Sequence, residues 1–264
     1  MAESERVAGS ERQSVVLLHG FGGTHRAWDR VLAHLPAERY RSLALDLPGH
    51  GELADEPGPI TFGACVASVL DRAPERFVLV GYSMGGRIAL HVALAAPEQI
   101  ERLVLISTTA GIEDPNERAR RRDADRRLAQ EIDEGSIEDF IARWRAQPMF
   151  AEDPPGVDGL ARADQSRNRS DGIAAALRGV GTGEMQPLWE RLCELRMPVT
   201  IVVGNRDVKF HSPGRRMADL LPHATLVIAQ SGHVLPLENP TAVAEAIAPT
   251  SKCPPGAVLP DSRM

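Results

Sequence analysis

The sequence predicts an α/β fold: a mostly parallel central sheet flanked by helices, with a helical lid inserted between two strands. Three observations predict it. Short, nearly continuous apolar runs alternate with helical patterns along most of the chain. One glycine-flanked serine falls between such a run and a helix. A charge-rich stretch then interrupts the alternation without supplying a central strand.

The runs are Val15–Leu18, Leu43–Leu45, Phe77–Val80, Leu103–Ile106, Val199–Val203 and Thr225–Ile228. Strands buried on both faces need apolar residues at nearly every position, so these read as a parallel sheet covered by helices. After Ser83, the apolar residues Ile88, Ala89, Val92 and Ala93 recur at helical spacing. The stretch Asp114–Gln130 is crowded with charge, and further helical segments are predicted near Ser136–Arg145 and Gly172–Arg178. The expected division is a core of residues 1–109 and 191–250, a lid of 110–190 and a loose, proline-containing tail of 251–264.

Composition narrows the class of function. With 264 residues, 43% hydrophobic and 25% charged, the chain has enough apolar material for one sizeable core and is unlike a disordered or collagenous chain. A net charge of −6 argues against a nucleic-acid-binding surface. Three widely spaced cysteines (Cys65, Cys193, Cys253) suggest neither a disulfide framework nor a zinc cluster. The polar first fourteen residues lack the apolar core of a signal peptide, and no apolar run is long enough to span a membrane. A cytoplasmic enzyme with no membrane or nucleic-acid partner is the expectation; oligomeric state is not legible.

The chemistry concentrates at three places. Gly81-Tyr82-Ser83-Met84-Gly85 is a G-x-S-x-G elbow between a predicted strand and a predicted helix. Glycine is required at 81 and 85 because so sharp a turn leaves no space for a Cβ. His19-Gly20-Phe21-Gly22-Gly23-Thr24 follows the first strand, where such enzymes build half of an oxyanion hole. The backbone amides of Phe21 and Met84 are therefore the candidate oxyanion donors. This loop lacks the lysine of a phosphate-binding loop, and it matches no dinucleotide fingerprint. A serine hydroxyl needs a base. Asp207 and His233 follow the last two predicted strands, and the order Ser83, Asp207, His233 is the order the α/β-hydrolase fold uses. His19, His50 and His91 read as structural. No set of metal ligands clusters, so no cofactor and no metal are expected.

Beyond these general motifs, the chain resembles the 2-succinyl-6-hydroxy-2,4-cyclohexadiene-1-carboxylate synthases of menaquinone biosynthesis, within the α/β-hydrolase superfamily. The resemblance rests on Gly81-Tyr-Ser-Met-Gly-Gly-Arg87. It extends through Phe140-Ile-Ala-Arg-Trp144-Arg-Ala-Gln147-Pro148-Met-Phe150 and Gly181-Thr-Gly-Glu-Met-Gln186-Pro187-Leu-Trp189 of the lid. It implies a lyase that removes a proton from a cyclohexene polycarboxylate and expels pyruvate. It also implies substrate-binding roles for Tyr82, Arg87, Arg121, Trp144 and Arg167. Arg120 or Arg122, and Arg169, are the neighbouring choices in register. Arginine suits bidentate capture of carboxylates, although Arg118–Arg127 also reads as a solvated helix face. Two other readings are open: a serine hydrolase of an ester, lactone or C–C bond, and a receptor-like binder that keeps the fold.

Overall fold

A computed structural model describes residues 12–55 and 58–249. The tail expected to be loose, 251–264, lies outside the described residues, as do the first eleven. Six strands form one parallel sheet: β1 (Gln13–Leu18), β2 (Tyr40–Leu45), β3 (Phe77–Tyr82), β4 (Ile100–Ile106), β5 (Val199–Gly204) and β6 (Ala224–Ala229). Their spatial order is β2-β1-β3-β4-β5-β6. All six predicted runs lie within these strands.

Alternate side chains of the central strands enter opposite layers. Val16, Leu18, Leu79 and Leu105 join one core cluster, and Val15, Leu17, Val78 and Val104 join the other. Burial on both faces therefore holds for β1, β3 and β4. It fails at the sheet edges, where Leu43 of β2 is 37% exposed and Ile228 of β6 is 50% exposed. An edge strand has a neighbour on one side only, so part of its surface meets water.

Ten helices accompany the sheet among the described residues: α1 (Asp29–Leu32), α2 (Phe62–Arg72), α3 (Met84–Ala95), α4 (Pro115–Glu134), α5 (Ile137–Arg145), α6 (Pro155–Gln165), α7 (Ser170–Val180), α8 (Val208–Leu220), α9 (Leu235–Glu238) and α10 (Pro240–Ile247). Four of these, α4 to α7, lie between β4 and β5. Ala129, Ile132, Phe140, Ile173, Ala174 and Leu177 give this inserted layer its own apolar cluster. Two of its helices, α4 and α5, start on side-chain caps. Asp114 accepts from the Glu117 amide at 2.6 Å, and Ser136 and Asp139 form a reciprocal capping box. The charged stretch becomes α4, and the two predicted lid helices become α5 and α7. The helix α6 was not predicted, because Pro154, Pro155, Gly156 and Gly159 mask it. Proline is nonetheless well suited to the first helical position, where its missing N–H has no intrahelical partner anyway.

The strand order locates the site. The chain leaves β1 toward β2 on one side, then returns to pair β3 on the other side of β1. Loops leaving the carboxyl ends of β1 and β3 diverge there and open a crevice, the usual ligand position in such sheets. Register brings Leu18 opposite Gly81, so the glycine loop and the serine elbow emerge side by side.

Candidate active site

Ser83 stands between the last residue of β3 and the first of α3, with φ 53° and ψ −109°. A non-glycine residue in this region costs on the order of 1–3 kcal/mol and persists only where its surroundings over-determine it. Here they do. The Ser83 N–H donates to the Ile106 carbonyl at 2.9 Å, and Thr108 Oγ1 donates to the Ser83 carbonyl at 2.7 Å. A Cβ on Gly85 would sit 2.2 Å from the Leu18 carbonyl oxygen, and one on Gly81 would sit 2.5 Å from the Gly85 carbonyl oxygen. Glycine is thus what lets α3 start directly against β1 and turn the serine outward.

His233 and Asp207 meet this serine from the far side. Asp207 ends the turn after β5, and His233 ends the loop after β6. The His233 Nδ1–H donates to Asp207 Oδ2 at 2.9 Å, and Ser83 Oγ lies 3.3 Å from His233 Nε2. That tautomer follows from the network: a carboxylate can only accept, so Nδ1 carries the proton and Nε2 is left as the acceptor facing the serine hydroxyl. Histidine and aspartate are almost fully buried, at 2% and 4% exposure. Phe210 stacks on the imidazole at 4.9 Å between ring centroids, and Tyr82 and Phe150 lie at 5.4 and 5.8 Å. Burial, followed by the charge of Asp207, pushes the Tyr82 phenol well above its ordinary value, so it stays protonated. Glu238 fixes the histidine loop, accepting from Ser231 Oγ at 2.9 Å and from the Gly232 amide at 2.7 Å.

Two buried histidines hold the glycine loop. His19 donates through Nδ1 to the Gly20 carbonyl at 2.8 Å and accepts the Leu47 amide at Nε2. His50 accepts the Gly22 amide at Nε2, 3.2 Å away. Burial lowers their pKa to about 4 and about 3 respectively, so both are neutral, as these accepting nitrogens require. Their structural reading stands. Asn168 adds a bond from Nδ2 to the Gly22 carbonyl at 2.7 Å. Among the described residues the Phe21 N–H has no hydrogen-bond partner, and Met84, as the first residue of α3, has no intrahelical acceptor for its N–H. The two candidate oxyanion donors thus stand free beside Ser83 on the wall of one cavity.

This cavity encloses about 570 Å³, a volume suited to a substrate-sized molecule. Its lining includes the aromatic Phe21, Tyr82, Trp144, Phe150 and Trp189, the cations Arg87, Arg121, Lys209 and Arg216, and the acids Glu113, Asp114 and Glu117. Arg87 is 7% exposed and anchors one guanidinium nitrogen on the Val180 carbonyl at 2.7 Å. Burial, then the nearby positive Arg121, lowers its pKa to about 10. Arg121 is aimed by Asp125, which accepts from Nε at 2.8 Å. Arg120 and Arg122 do not line the cavity. Arg216 forms a two-point pair with Glu113 and lies 4.2 Å over the Trp189 ring.

Of the expected substrate-binding residues, the structure brings Tyr82, Arg87, Arg121 and Trp144 to the cavity. The expectation for Arg167 is corrected. Arg167 is exposed on the turn between α6 and α7 and lines no part of the cavity, and Arg169 is exposed and paired with Asp171. The reason lies in that turn's packing, where Asn168 faces inward onto the glycine loop and leaves its neighbours in solvent. Lys209 was missed. Its sequence signal was its place two residues after Asp207, on the helix that begins at the cavity. No group of three or more His, Cys, Asp or Glu residues suited to a metal occurs among the described residues, and none of their helices is long and apolar enough to cross a membrane.

A parallel sheet with a strained serine after β3, an acid after β5 and a histidine after β6 defines an α/β-hydrolase-type enzyme. The comparisons agree. Residues 15–246 match the model of the alpha/beta hydrolase family. A 2-succinyl-6-hydroxy-2,4-cyclohexadiene-1-carboxylate synthase of Enterobacter sp. (strain 638) is 32% identical over 242 residues, covering 89% of this chain and 90% of the relative. The solved structure of MenH from S. aureus superposes with a TM-score of 0.84 at 32% identity, covering 90% and 92% of the two chains. A thermophilic esterase from Thermogutta terrifontis, solved with malate bound, reaches a TM-score of 0.74 at 27% identity over 89% and 88%. The chain belongs to the alpha/beta hydrolase family and, within it, to the 2-succinyl-6-hydroxy-2,4-cyclohexadiene-1-carboxylate synthases.

Proposed function

We propose that this enzyme eliminates pyruvate from 2-succinyl-5-enolpyruvyl-6-hydroxy-3-cyclohexene-1-carboxylate, giving 2-succinyl-6-hydroxy-2,4-cyclohexadiene-1-carboxylate in the cytoplasm. The observation that carries this reading is the pairing, in one cavity, of a serine–histidine base with the guanidinium groups of Arg87 and Arg121. A polycarboxylate needs such cations, and a neutral ester does not. The names of the relatives support the same choice.

The substrate's own structure sets the steps. Its ring C2–H is acidified by the adjacent succinyl ketone, and the C3=C4 double bond links C2 to the C5–O bond. His233, oriented by Asp207, takes the Ser83 hydroxyl proton, and the serine oxygen removes the C2 proton. Charge developing on the ketone oxygen is met by the Phe21 and Met84 amides. The C2 electron pair forms C2=C3, C3=C4 becomes C4=C5, and C5–O breaks. The enolpyruvyl group departs as the enolate of pyruvate, and the proton taken up by His233 passes to its carbon, which restores the neutral imidazole. Neither a metal nor a cofactor is needed by this route.

The competing reading is a serine hydrolase acting through an acyl-enzyme on Ser83. It is favoured by the same triad geometry and by likeness to a solved esterase. Pyruvate release from the enolpyruvyl substrate decides between them, with Ser83→Ala alongside. Loss of release by at least ~10³-fold in a folded Ser83→Ala protein is expected. Cleavage of a nitrophenyl ester without pyruvate release overturns the lyase reading.

A further inference from the structure

Four cations line the cavity, and they differ in how much of their bonding is already used. Arg216 is occupied by both oxygens of Glu113. Arg121 gives its Nε to Asp125, and Arg87 gives one Nη to the Val180 carbonyl. Lys209 gives nothing. Lys209 is exposed, and among the described residues its ammonium forms no ion pair and no hydrogen bond; it lies 5.5 Å from the centroid of the Phe210 ring.

Position adds to this. Lys209 sits in the first turn of α8, two residues from Asp207, and Phe210 next to it is the ring stacked on His233. Its side chain lines both the catalytic cavity and an adjoining groove walled by Gln147, Met149, Asp153 and Arg206. It therefore stands where the two spaces meet. Its partial withdrawal from water, then the charge of Arg121, lowers its pKa; Arg87 adds to this, and Asp207 and Asp125 oppose it. Asp125 answers the charge of Arg121 and Asp207 lies near Lys209, so the repulsion among the three cations is offset only in part, and an incoming anion would relieve the rest. A lysine suits the mouth of a cavity: its charge is compact and its stem flexible, so it follows an entering group.

We infer that Lys209 is a third carboxylate-binding cation of this site, specific for substrates with a carboxylate to spare beyond those held by Arg87 and Arg121. The inference rests on the polycarboxylate reading above and deepens it. The proposed substrate carries three carboxylates, on the ring, the succinyl chain and the enolpyruvyl group, and Arg87, Arg121 and Lys209 are the cavity cations not already held by a two-point carboxylate pair.

The test measures binding of the enolpyruvyl substrate, and of tricarballylate as a stable tricarboxylate probe, by calorimetry. The proteins are Ser83→Ala alone and with Lys209→Met or Lys209→Arg. Lys209→Met should weaken both ligands about tenfold, reduce the salt dependence of binding and leave the melting temperature unchanged, because the ammonium holds no structural partner. Lys209→Arg should restore most of the affinity. Unchanged affinity and salt slope in Lys209→Met overturn the inference, as does a loss that Lys209→Arg fails to restore. Pyruvate release by the Ser83 enzyme is measured alongside. Release with Lys209-independent binding removes the lysine and keeps the lyase. Lys209-dependent tricarballylate binding without release keeps the cation site and removes the lyase.

Discussion

Replacing Gly85 by alanine tests the elbow where its geometry is tightest. The added Cβ would lie 2.2 Å from the Leu18 carbonyl oxygen and 2.5 Å from that of His19, both backbone atoms of β1 and the loop after it. Real Cβ contacts stop near 3 Å, so the amino end of α3 must retreat from β1 by roughly 1 Å. Overpacking of this kind costs about 1–3 kcal/mol. The functional cost is larger. The retreat carries the Met84 amide and Ser83 away from a histidine fixed independently by Asp207 and Glu238, and a 1 Å misplacement costs about 10²-fold in rate. Substrate turnover and urea unfolding of Gly85→Ala should show both losses. Gly63→Ala is the control. Its Cβ meets nothing nearer than Thr61 Oγ1 at 3.8 Å, so alanine in α2 should be neutral or stabilising by up to ~1 kcal/mol. Full activity and unchanged stability in Gly85→Ala would refute the close-approach argument.

Two further outcomes follow from the cavity and its supports. Arg121→Ala should raise KM about tenfold or more, whereas Arg120→Ala, Arg122→Ala and Arg167→Ala should leave kcat/KM within about twofold; an effect of Arg167→Ala equal to that of Arg121→Ala would place the lid differently during turnover. His19 and His50 are neutral when folded, with pKa values lowered to about 4 and 3, but take up protons near pH 6.5 when unfolded. The unfolded chain therefore binds more protons below pH 6.5. Each ring's contribution is fully present above that pH and is lost at up to about 1.4 kcal/mol per unit as pH falls toward 4. Urea midpoints between pH 7 and 5 should fall, less steeply in His50→Gln; a flat profile would contradict the buried neutral rings.

Much of this site was legible along the chain because it depends on local geometry. The elbow needs glycine on both sides of Ser83 whatever surrounds it, and strands buried on both faces must be apolar throughout. In a sheet whose strands all point one way, the residues after β3, β5 and β6 emerge at the same end. That is why Ser83, Asp207 and His233 could be chosen before any distance was known. Arg87 was legible for a related reason, being one turn along the helix that starts at the serine.

What tertiary structure decided concerns direction. Successive residues on a helix differ by about 100°, so of Arg120, Arg121 and Arg122 one faces the cavity. Which one depends on how α4 packs on α7, and Asp125, one turn along α4, then holds the Arg121 side chain. Arg167 turned to solvent because Asn168 and Asp164 bind the glycine loop, as in the bond from the Thr24 amide to Asp164 across 140 positions. Lys209 became a site residue when α8 brought it into one cavity with Arg87 and Arg121. The sequence by itself determined the strands, the elbow and the order of the triad, which follow from short-range backbone requirements. The direction of each lid and cavity side chain was left to packing between segments far apart in the chain, and no local pattern encodes it.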